Sequence, residues 1–138
     1  MFSLPGDYQI EPAEVMKLWP HRLEADMIIG WRKSRHDSGA RLRQSGIYNG
    51  LLRAMFRLNI HDVNSVRLMK TSIMKSIKLT TTSAFVDAEL IVRAIRDGFR
   101  VIEIPIAHRA RTGVGASGGK PKIIIPTIMD MLRFWVRK

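Results

Sequence analysis

The chain has 138 residues, of which 46% are hydrophobic and 25% are charged, and it contains no cysteine. These values suit one globular domain or part of one, and they exclude disulfides and thiolate metal sites. The formal net charge of +11 favours polyanionic partners such as phosphorylated substrates, anionic lipids or nucleic acid. A solvated basic surface is the plainer alternative.

The first predicted elements are a strand, a turn and a helix. The apolar start, 1–4, predicts a short strand, and Gly6-Asp7-Tyr8-Gln9 predicts a tight turn that presents a carboxylate. Residues 11–19 are expected to form a helix, because Pro12 suits a first turn. Such a turn usually closes a strand in the middle of a sheet, so the chain is expected to begin partway through a fold.

The middle of the chain predicts a buried strand and a long helix. The apolar run 27–29 predicts a strand that ends at Gly30, and a polar loop is expected over 31–40. Apolar residues recur at helical spacing over about 40–57, which predicts a helix. The polar segment 61–65 predicts a turn.

A second helix and a strand follow. Apolar residues at helical spacing predict a helix over 84–98, which Gly98 ends. Residues 100–107 alternate between apolar and mixed positions, which predicts a strand. Pro105 favours a place at the sheet edge or at the strand's end. Strands that alternate with helices indicate an α/β architecture.

The last part of the chain is a basic, glycine-rich loop from Arg109 to Lys120 and a helix expected to start near Pro126. Arginine binds diphosphate oxygens in bidentate fashion, and glycine lets backbone N–H groups approach them. The loop is therefore a candidate phosphate-binding segment, with a mobile basic loop as the alternative. The apolar helix with basic ends predicts either a membrane-surface or partner-docking segment or an ordinary core helix.

Two pairs of polar residues are candidates for chemistry. Asp7 and Gln9 are oxygen-bearing and close to a strand end, so they suit a hard divalent cation, although an Asp in a turn is often only a turn former. Asp87 and Glu89 lie on opposite sides of the apolar stripe of their helix. Arg93 lies one turn from Glu89, and an ion pair between the two would give Glu89 a structural function. Asp87 is then the better candidate for a base or an acceptor-orienting group, with a helix-dipole role as the alternative.

Several motifs occur in a fixed order along the chain. They are Gly6-Asp7-x-Gln9-x-x-Pro12-x-Glu14, Gly30-x-Arg32-x-x-Arg35-x-Asp37, Ser45-x-x-Tyr48-Asn49, Asp62-Val63-Asn64-Ser65, Phe85-x-Asp87-x-Glu89-Leu90, Gly98-Phe99-Arg100-Val101-x-Glu103-x-Pro105 and His108-x-x-Arg111. Together they resemble the family 2 glycosyltransferases of the polyprenyl-phosphate, dolichol-phosphate mannose synthase-like branch, over nearly the whole chain.

The resemblance implies a GT-A fold, a Rossmann-like α/β sandwich, whose N-terminal nucleotide-binding half is missing from this chain. Residues 1–138 would be a single partial domain, with 121–138 as an amphipathic membrane-proximal segment. The implied reaction transfers a sugar from a nucleotide diphosphate sugar to a polyprenyl phosphate or related acceptor at the cytoplasmic face of the membrane, with Mg²⁺ or Mn²⁺ as cofactor. A protein partner that completes the sheet is a further expectation, and nucleic acid is disfavoured.

The resemblance also assigns roles to residues. Asp7 would be the last Asp of a metal-binding Asp-x-Asp, assisted by Gln9, and Pro5 takes the place of the first Asp. The phosphate-binding residues on the donor side would be Arg111, Arg109 and Lys120. The residues on the acceptor side would be Arg32, Arg35 and Arg41. The acidic position near the reacting centre would be Asp87 or Glu89. A non-catalytic membrane-surface or partner-binding remnant of the fold stays open as the alternative.

Overall fold

Four short strands form one mixed sheet in the computed structural model, which describes residues 1–4, 9–34, 38–109 and 120–137. The strands are β1 (Phe2–Ser3), β2 (Met27–Ser34), β3 (Arg67–Met69) and β4 (Val101–Ala107). Their order across the sheet is β1-β3-β2-β4. β3 is antiparallel to both of its neighbours, whereas β2 and β4 are parallel.

Helices pack on both faces of this sheet, so the predicted α/β class is confirmed. The helices are α1 (Pro12–Met16), a 3-10 helix (Trp19–Leu23), α2 (Gly39–Phe56), α3 (Thr71–Ser76), α4 (Val86–Arg96) and α5 (Pro121–Val136). One apolar core joins the sheet to α2–α5, and Phe85 and Ile91 are fully buried in it. A second core joins the other face of the sheet to α1 through Val15 and Ile28, and it includes Leu18, which directly precedes the 3-10 helix.

The parallel pairing of β2 with β4 sets the direction of the fold. Met27 pairs with Val101 at one end, and Ser34 pairs with Ala107 at the other. Parallel strands need a long crossover connection, and α2, β3, α3 and α4 lie within it. Because both strands run the same way, the segments that follow Ser34 and Ala107 leave the sheet at one edge, called the carboxyl edge below.

Three elements agree closely with the sequence. The helices predicted over 40–57 and 84–98 are α2 and α4, and the strand predicted over 100–107 is β4. Gly98 follows α4 with a φ of +85°, a left-handed conformation that glycine adopts without steric cost. β4 lies at the sheet edge, as Pro105 indicated.

Two predicted boundaries are wrong. β2 continues beyond Gly30, so the loop expected over 31–40 does not include 31–34. The helix expected over 11–19 ends at Met16, and a 3-10 helix follows at Trp19. Pro20 accounts for the end of α1 at Met16, since proline has no N–H to donate to a carbonyl oxygen of the preceding helical turn.

The predicted start of the last helix is also wrong, because α5 begins at Pro121 and Pro126 lies inside it. Pro121 takes a first-turn position, where its missing N–H group costs nothing. Near Pro126, the hydroxyl of Thr127 donates to the carbonyl oxygen of Ile123 at 2.7 Å. That side-chain hydrogen bond supports the helix where proline interrupts the backbone pattern.

Gly30 is required by packing at the closest approach of β2 to the second core. A β-carbon at this position would lie 2.6 Å from Ile106 Cδ1 and 2.7 Å from Val66 Cγ1. Both contacts are shorter than van der Waals packing permits, and the β-branched Val66 has few alternative rotamers. A larger residue would therefore push the strand away from the core.

We predict that Gly30→Ala lowers the free energy of unfolding by about 1–3 kcal/mol, the usual effect of overpacking a core. Gly46→Ala is the matched control, because a β-carbon there meets nothing within 4 Å. In the exposed interior of α2 this control should raise the free energy of unfolding by about 0.5–1 kcal/mol. Urea denaturation measures both changes, and an unaltered Gly30 variant would show that packing tolerates the methyl group.

Candidate functional site

Two predicted site segments meet at the carboxyl edge. The backbone N–H of Arg109, which follows β4, donates to the carbonyl oxygen of Gln9 at 2.9 Å. The side-chain Nε2 of Gln9 lies 3.4 Å from the carbonyl oxygen of Arg109, and Gln9 is only 2% exposed. Gln9, at the end of the predicted metal-binding turn, and Arg109, at the start of the predicted phosphate-binding loop, therefore lie side by side.

Carboxylates next to α1 hold the end of β4 in place. Glu14 accepts a hydrogen bond from the N–H of Ala107 at 2.7 Å and forms an ion pair with Lys17. The hydrogen bond from Lys17, assisted by the N–H of Ala107, lowers the pKa of Glu14. Glu11 forms an ion pair with the guanidinium of Arg109. Glu14 is thus an anchor for β4, the strand that precedes the predicted phosphate-binding loop.

Three predicted site residues, Asp7, Arg35 and Arg111, lie outside the described residues, so their roles stay predictions. Gln9 is described, and its amide group offers an oxygen of the kind that Mg²⁺ and Mn²⁺ accept. Lys120 is exposed at the N-cap of α5. Among the described ranges, no group of three His, Asp or Glu side chains is arranged to hold a metal ion.

Glu89 is fully buried and its carboxylate is surrounded by donors. Its two oxygens accept hydrogen bonds from the backbone N–H and hydroxyl groups of Thr80 and Thr81, at 2.6–2.9 Å. Arg93 forms the predicted ion pair with it at 2.8 Å. Burial raises the pKa of Glu89, but these hydrogen bonds outweigh burial and hold the pKa at about 2. A carboxylate in this state is a strong anchor for the 80–81 segment and a poor base.

Asp87 has a partner that its sequence neighbourhood does not reveal. Its Oδ1 accepts from Arg67 Nη2 at 2.7 Å, while its side chain is 44% exposed. The Arg67 side chain is 3% exposed at the start of β3. The expectation that Asp87 lacks an ionic partner is therefore wrong. The ion pair fixes Asp87 at the N-terminal end of α4 and leaves part of its carboxylate accessible.

Tyr48 approaches Asp87 from α2. Burial raises the pKa of Tyr48, and the negative charge of Asp87 raises it further, so the phenol stays protonated. Within the described part of the chain, the Tyr48 hydroxyl and Arg67 Nε are buried and have no hydrogen-bond partner. A buried donor of this kind calls for an explanation, and a bound acceptor group would provide one. The sequence contained Tyr48 in a motif, but only the fold brings it to Asp87.

Arg32 and Arg41, both predicted on the acceptor side, have different environments. Arg32 lies in β2, where its Nε and Nη2 bind the two oxygens of Asp62 at 2.7 and 2.8 Å in a buried, bidentate pair. Arg41 lies in the first turn of α2 and is partly buried. The ion pair gives Arg32 a structural function, and contact of either arginine with an acceptor stays a prediction.

Further motif residues secure the segment between α2 and β3. Asn49 Oδ1 accepts from the N–H of Val63 at 3.4 Å, and Asn49 Nδ2 donates to the carbonyl oxygen of Ser45 at 3.0 Å. Glu103 accepts from the backbone N–H groups of His61 and Asp62 at 2.8 and 3.1 Å. These side chains therefore hold the turn that carries Asp62 against the sheet.

An apolar cavity lies between α2 and α5. Its volume is about 240 Å³, and its walls include Tyr48, Leu51, Asn64, Ile128 and Met131. Tyr48 belongs both to this wall and to the surroundings of Asp87. Tyr48 therefore links the cavity wall to the polar cluster at the N-terminal end of α4.

Comparison with known proteins supports one family. No family model matches the chain. A dodecaprenyl-phosphate galacturonate synthase of Rhizobium johnstonii is 30% identical over 115 residues, which cover 79% of this chain and 33% of that protein. Uncharacterized glycosyltransferases of Mycobacterium bovis and Mycobacterium tuberculosis are each 30% identical over 87 residues, which cover 61% of this chain and 38% of theirs.

This chain is related to the polyprenyl-phosphate glycosyltransferases. The resemblance that its motifs indicated is thereby confirmed. The chain spans 33% to 38% of the length of these glycosyltransferase relatives.

We predict that Glu89→Gln lowers the free energy of unfolding at pH 7 by about 3 kcal/mol, because the folded-state pKa lies well below the ordinary value of 4.5. A lowered pKa stabilises the fold above pH 4.5, and this contribution is lost as the pH falls towards 2. The difference between wild type and variant should therefore narrow over that range. Urea unfolding across pH measures it, and the exposed Glu24→Gln is a control expected to change little. A difference in unfolding free energy between wild type and Glu89→Gln that stays constant with pH would contradict the lowered pKa of Glu89.

Proposed function

We propose that this chain is part of a GT-A glycosyltransferase that transfers a sugar from a nucleotide diphosphate sugar to a polyprenyl phosphate or a related lipid-linked phosphate. The observation that carries the proposal is the junction of Gln9 with Arg109 at the carboxyl edge. In open α/β sheets, ligands bind beyond the carboxyl ends of the strands. The family relationship supplies the class of reaction.

On the donor side, the departing nucleoside diphosphate develops negative charge. An oxygen of the acceptor phosphate attacks the anomeric carbon, the bond from that carbon to the diphosphate oxygen breaks, and the leaving group takes the electron pair. Arg111, Arg109 and Lys120 stabilise that charge in the proposed site. Asp7 and Gln9 would hold Mg²⁺ or Mn²⁺, which would supply further charge stabilisation.

On the acceptor side, the nucleophile is already an anion, so it needs orientation more than deprotonation. Asp87 suits this function better than Glu89, because its carboxylate is partly exposed whereas the oxygens of Glu89 are taken by Thr80, Thr81 and Arg93. Arg67 positions Asp87, and the positive charge of Arg67 offsets the negative charge with which Asp87 would repel an approaching phosphate. The protonated Tyr48 hydroxyl is a donor for that phosphate.

The lipid part of the acceptor suits the α2–α5 surface. The cavity between these helices is apolar and ends near Tyr48 and Asp87. Exposed apolar side chains continue the surface along both helices: Ile47, Leu51, Ile128, Leu132 and Trp135. We propose that this surface lies peripherally on the cytoplasmic face of the membrane, with basic residues of α5 towards the headgroups. No helix in the described ranges is both long enough and apolar enough to span a bilayer.

A non-catalytic function is the second candidate. The exposed apolar surface of α5 would serve a membrane-bound or partner-bound remnant equally well. The two candidates differ in one property, since only a transferase needs to bind a nucleotide diphosphate sugar.

We predict that the chain binds a nucleotide diphosphate sugar more tightly with Mn²⁺ than without it. Asp7→Ala should remove the effect of Mn²⁺, whereas Arg111→Ala should weaken binding about tenfold and keep the effect, because arginine contacts the phosphate directly. Calorimetric titration measures both, with Arg22→Ala on the opposite face of the sheet as the control. Unchanged binding in both site variants would show that the assigned residues are wrong.

We predict that the chain associates with anionic vesicles and that salt weakens this association. Ile128→Glu should reduce the association about tenfold, because it places a charge on the surface that enters the lipid. Leu23→Glu changes the net charge equally and replaces a side chain that is 85% exposed on the other layer, so it is the matched control. Equal losses in the two variants would indicate that only net charge matters.

A further inference from the structure

A basic cleft lies between α4 and α5, remote from the carboxyl edge. It has a volume of about 440 Å³. Its charged lining residues are Arg93, Arg96, Arg133, Arg137 and Asp130. Arg96 is nine positions beyond Asp87 on α4, which corresponds to about 13 Å along the helix axis. The end of the cleft that carries Arg96 is therefore separate from the proposed acceptor site.

The positive charge of this cleft is only partly neutralised. Arg93 is paired with Glu89, and Arg133 lies 3.8 Å from Asp130, a distance at the limit of an ion pair. Neither Arg96 nor Arg137 contacts a carboxylate in the part of the chain that the structure describes. Two guanidinium groups, one from each helix, therefore face the same cleft without a counter-charge.

The arginine from α4 is also held in position. The guanidinium of Arg96 stacks on Phe134 at 5.2 Å and on Phe56 at 5.9 Å from the ring centroids. Stacking fixes the plane of a guanidinium group while its N–H edge stays directed outwards. A fixed guanidinium edge binds the oxygens of a phosphate in bidentate fashion and loses little side-chain entropy on doing so.

We propose that Arg96 and Arg137 form a binding site for a phosphate monoester between α4 and α5. A phosphate monoester carries up to two negative charges, which match the two unneutralised guanidinium groups. The exposed apolar residues Trp135 and Val136 adjoin the site at the end of α5, so the phosphate of an anionic lipid headgroup can reach it. Free phosphate in solution presents the same chemistry.

Helix dipoles are the competing explanation for these arginines. Arg96 and Arg137 lie at the C-terminal ends of α4 and α5, where positive charge is stabilising without any ligand. That explanation requires only charge, so lysine would serve equally. A phosphate site requires the planar guanidinium edge, which lysine lacks.

The test titrates the chain with inorganic phosphate and, separately, with vesicles of phosphatidylcholine with and without phosphatidic acid. Side-chain Nε–Hε signals of arginine in NMR spectra report the first arm, and co-sedimentation reports the second. We expect inorganic phosphate to shift the Arg96 and Arg137 signals, or phosphatidic acid to increase the fraction of the chain that sediments with the vesicles. Arg96→Gln and Arg137→Gln should each weaken the response about fivefold.

Two further variants make the result decisive. Arg96→Lys should weaken binding nearly as much as Arg96→Gln in a phosphate site, but it should bind like the wild type if only charge matters. Arg22→Gln is the matched control, since its guanidinium stacks on Trp19 at 4.8 Å on the opposite layer. A response in the phosphatidic acid arm alone assigns the site to a lipid headgroup, and a response to inorganic phosphate assigns it to a soluble phosphate. No response in either arm, or an equal response in Arg96→Gln and Arg22→Gln, overturns the proposal.

Discussion

The parallel pairing of β2 with β4 is the constraint on which the arrangement of the candidate site depends. It makes both strands end at one edge, so the segments after Ser34 and Ala107 emerge together. It also requires the crossover to return along α4, and this return places the first turn of α4, with Asp87, towards the same edge. The Gln9–Arg109 hydrogen bond then brings Gln9 to this group.

Buried charge fixes the connections around this pair of strands. Arg32 holds Asp62 against β2, Arg67 holds Asp87 against β3, and Glu89 holds the segment before α4 through Thr80 and Thr81. The buried groups among them, Asp62, Glu89 and Arg67, are each paired, which is the condition for burying charge without a large loss of stability. Many polar motif residues therefore serve the fold, and only those with an accessible oxygen or an unused donor are candidates for chemistry.

The parts of the fold that local periodicity determines could be predicted from the sequence. α2, α4 and β4 have regular apolar patterns, and Gly98 and Pro105 mark their limits. The second half of β2 was not predicted, because residues 31–34 are mostly polar. Burial of Arg32 in this strand depends on its ion pair with Asp62, thirty positions away. Tyr48 and Arg67 were missed as companions of Asp87 for the same reason, since each contact joins elements distant in sequence. Such pairings become visible only when the strand order is known.

The position of Tyr48 connects the polar and apolar halves of the proposed acceptor site. Its ring forms part of the α2–α5 cavity, while its hydroxyl lies close enough to Asp87 for the carboxylate charge to raise its pKa. An acceptor with only a phosphate would leave the cavity empty, and an acceptor with only a hydrocarbon chain would leave the Tyr48 hydroxyl unsatisfied. A lipid-linked phosphate has both a charged part for the hydroxyl and an apolar part for the cavity. The surroundings of Tyr48 therefore support the proposed lipid-linked phosphate acceptor.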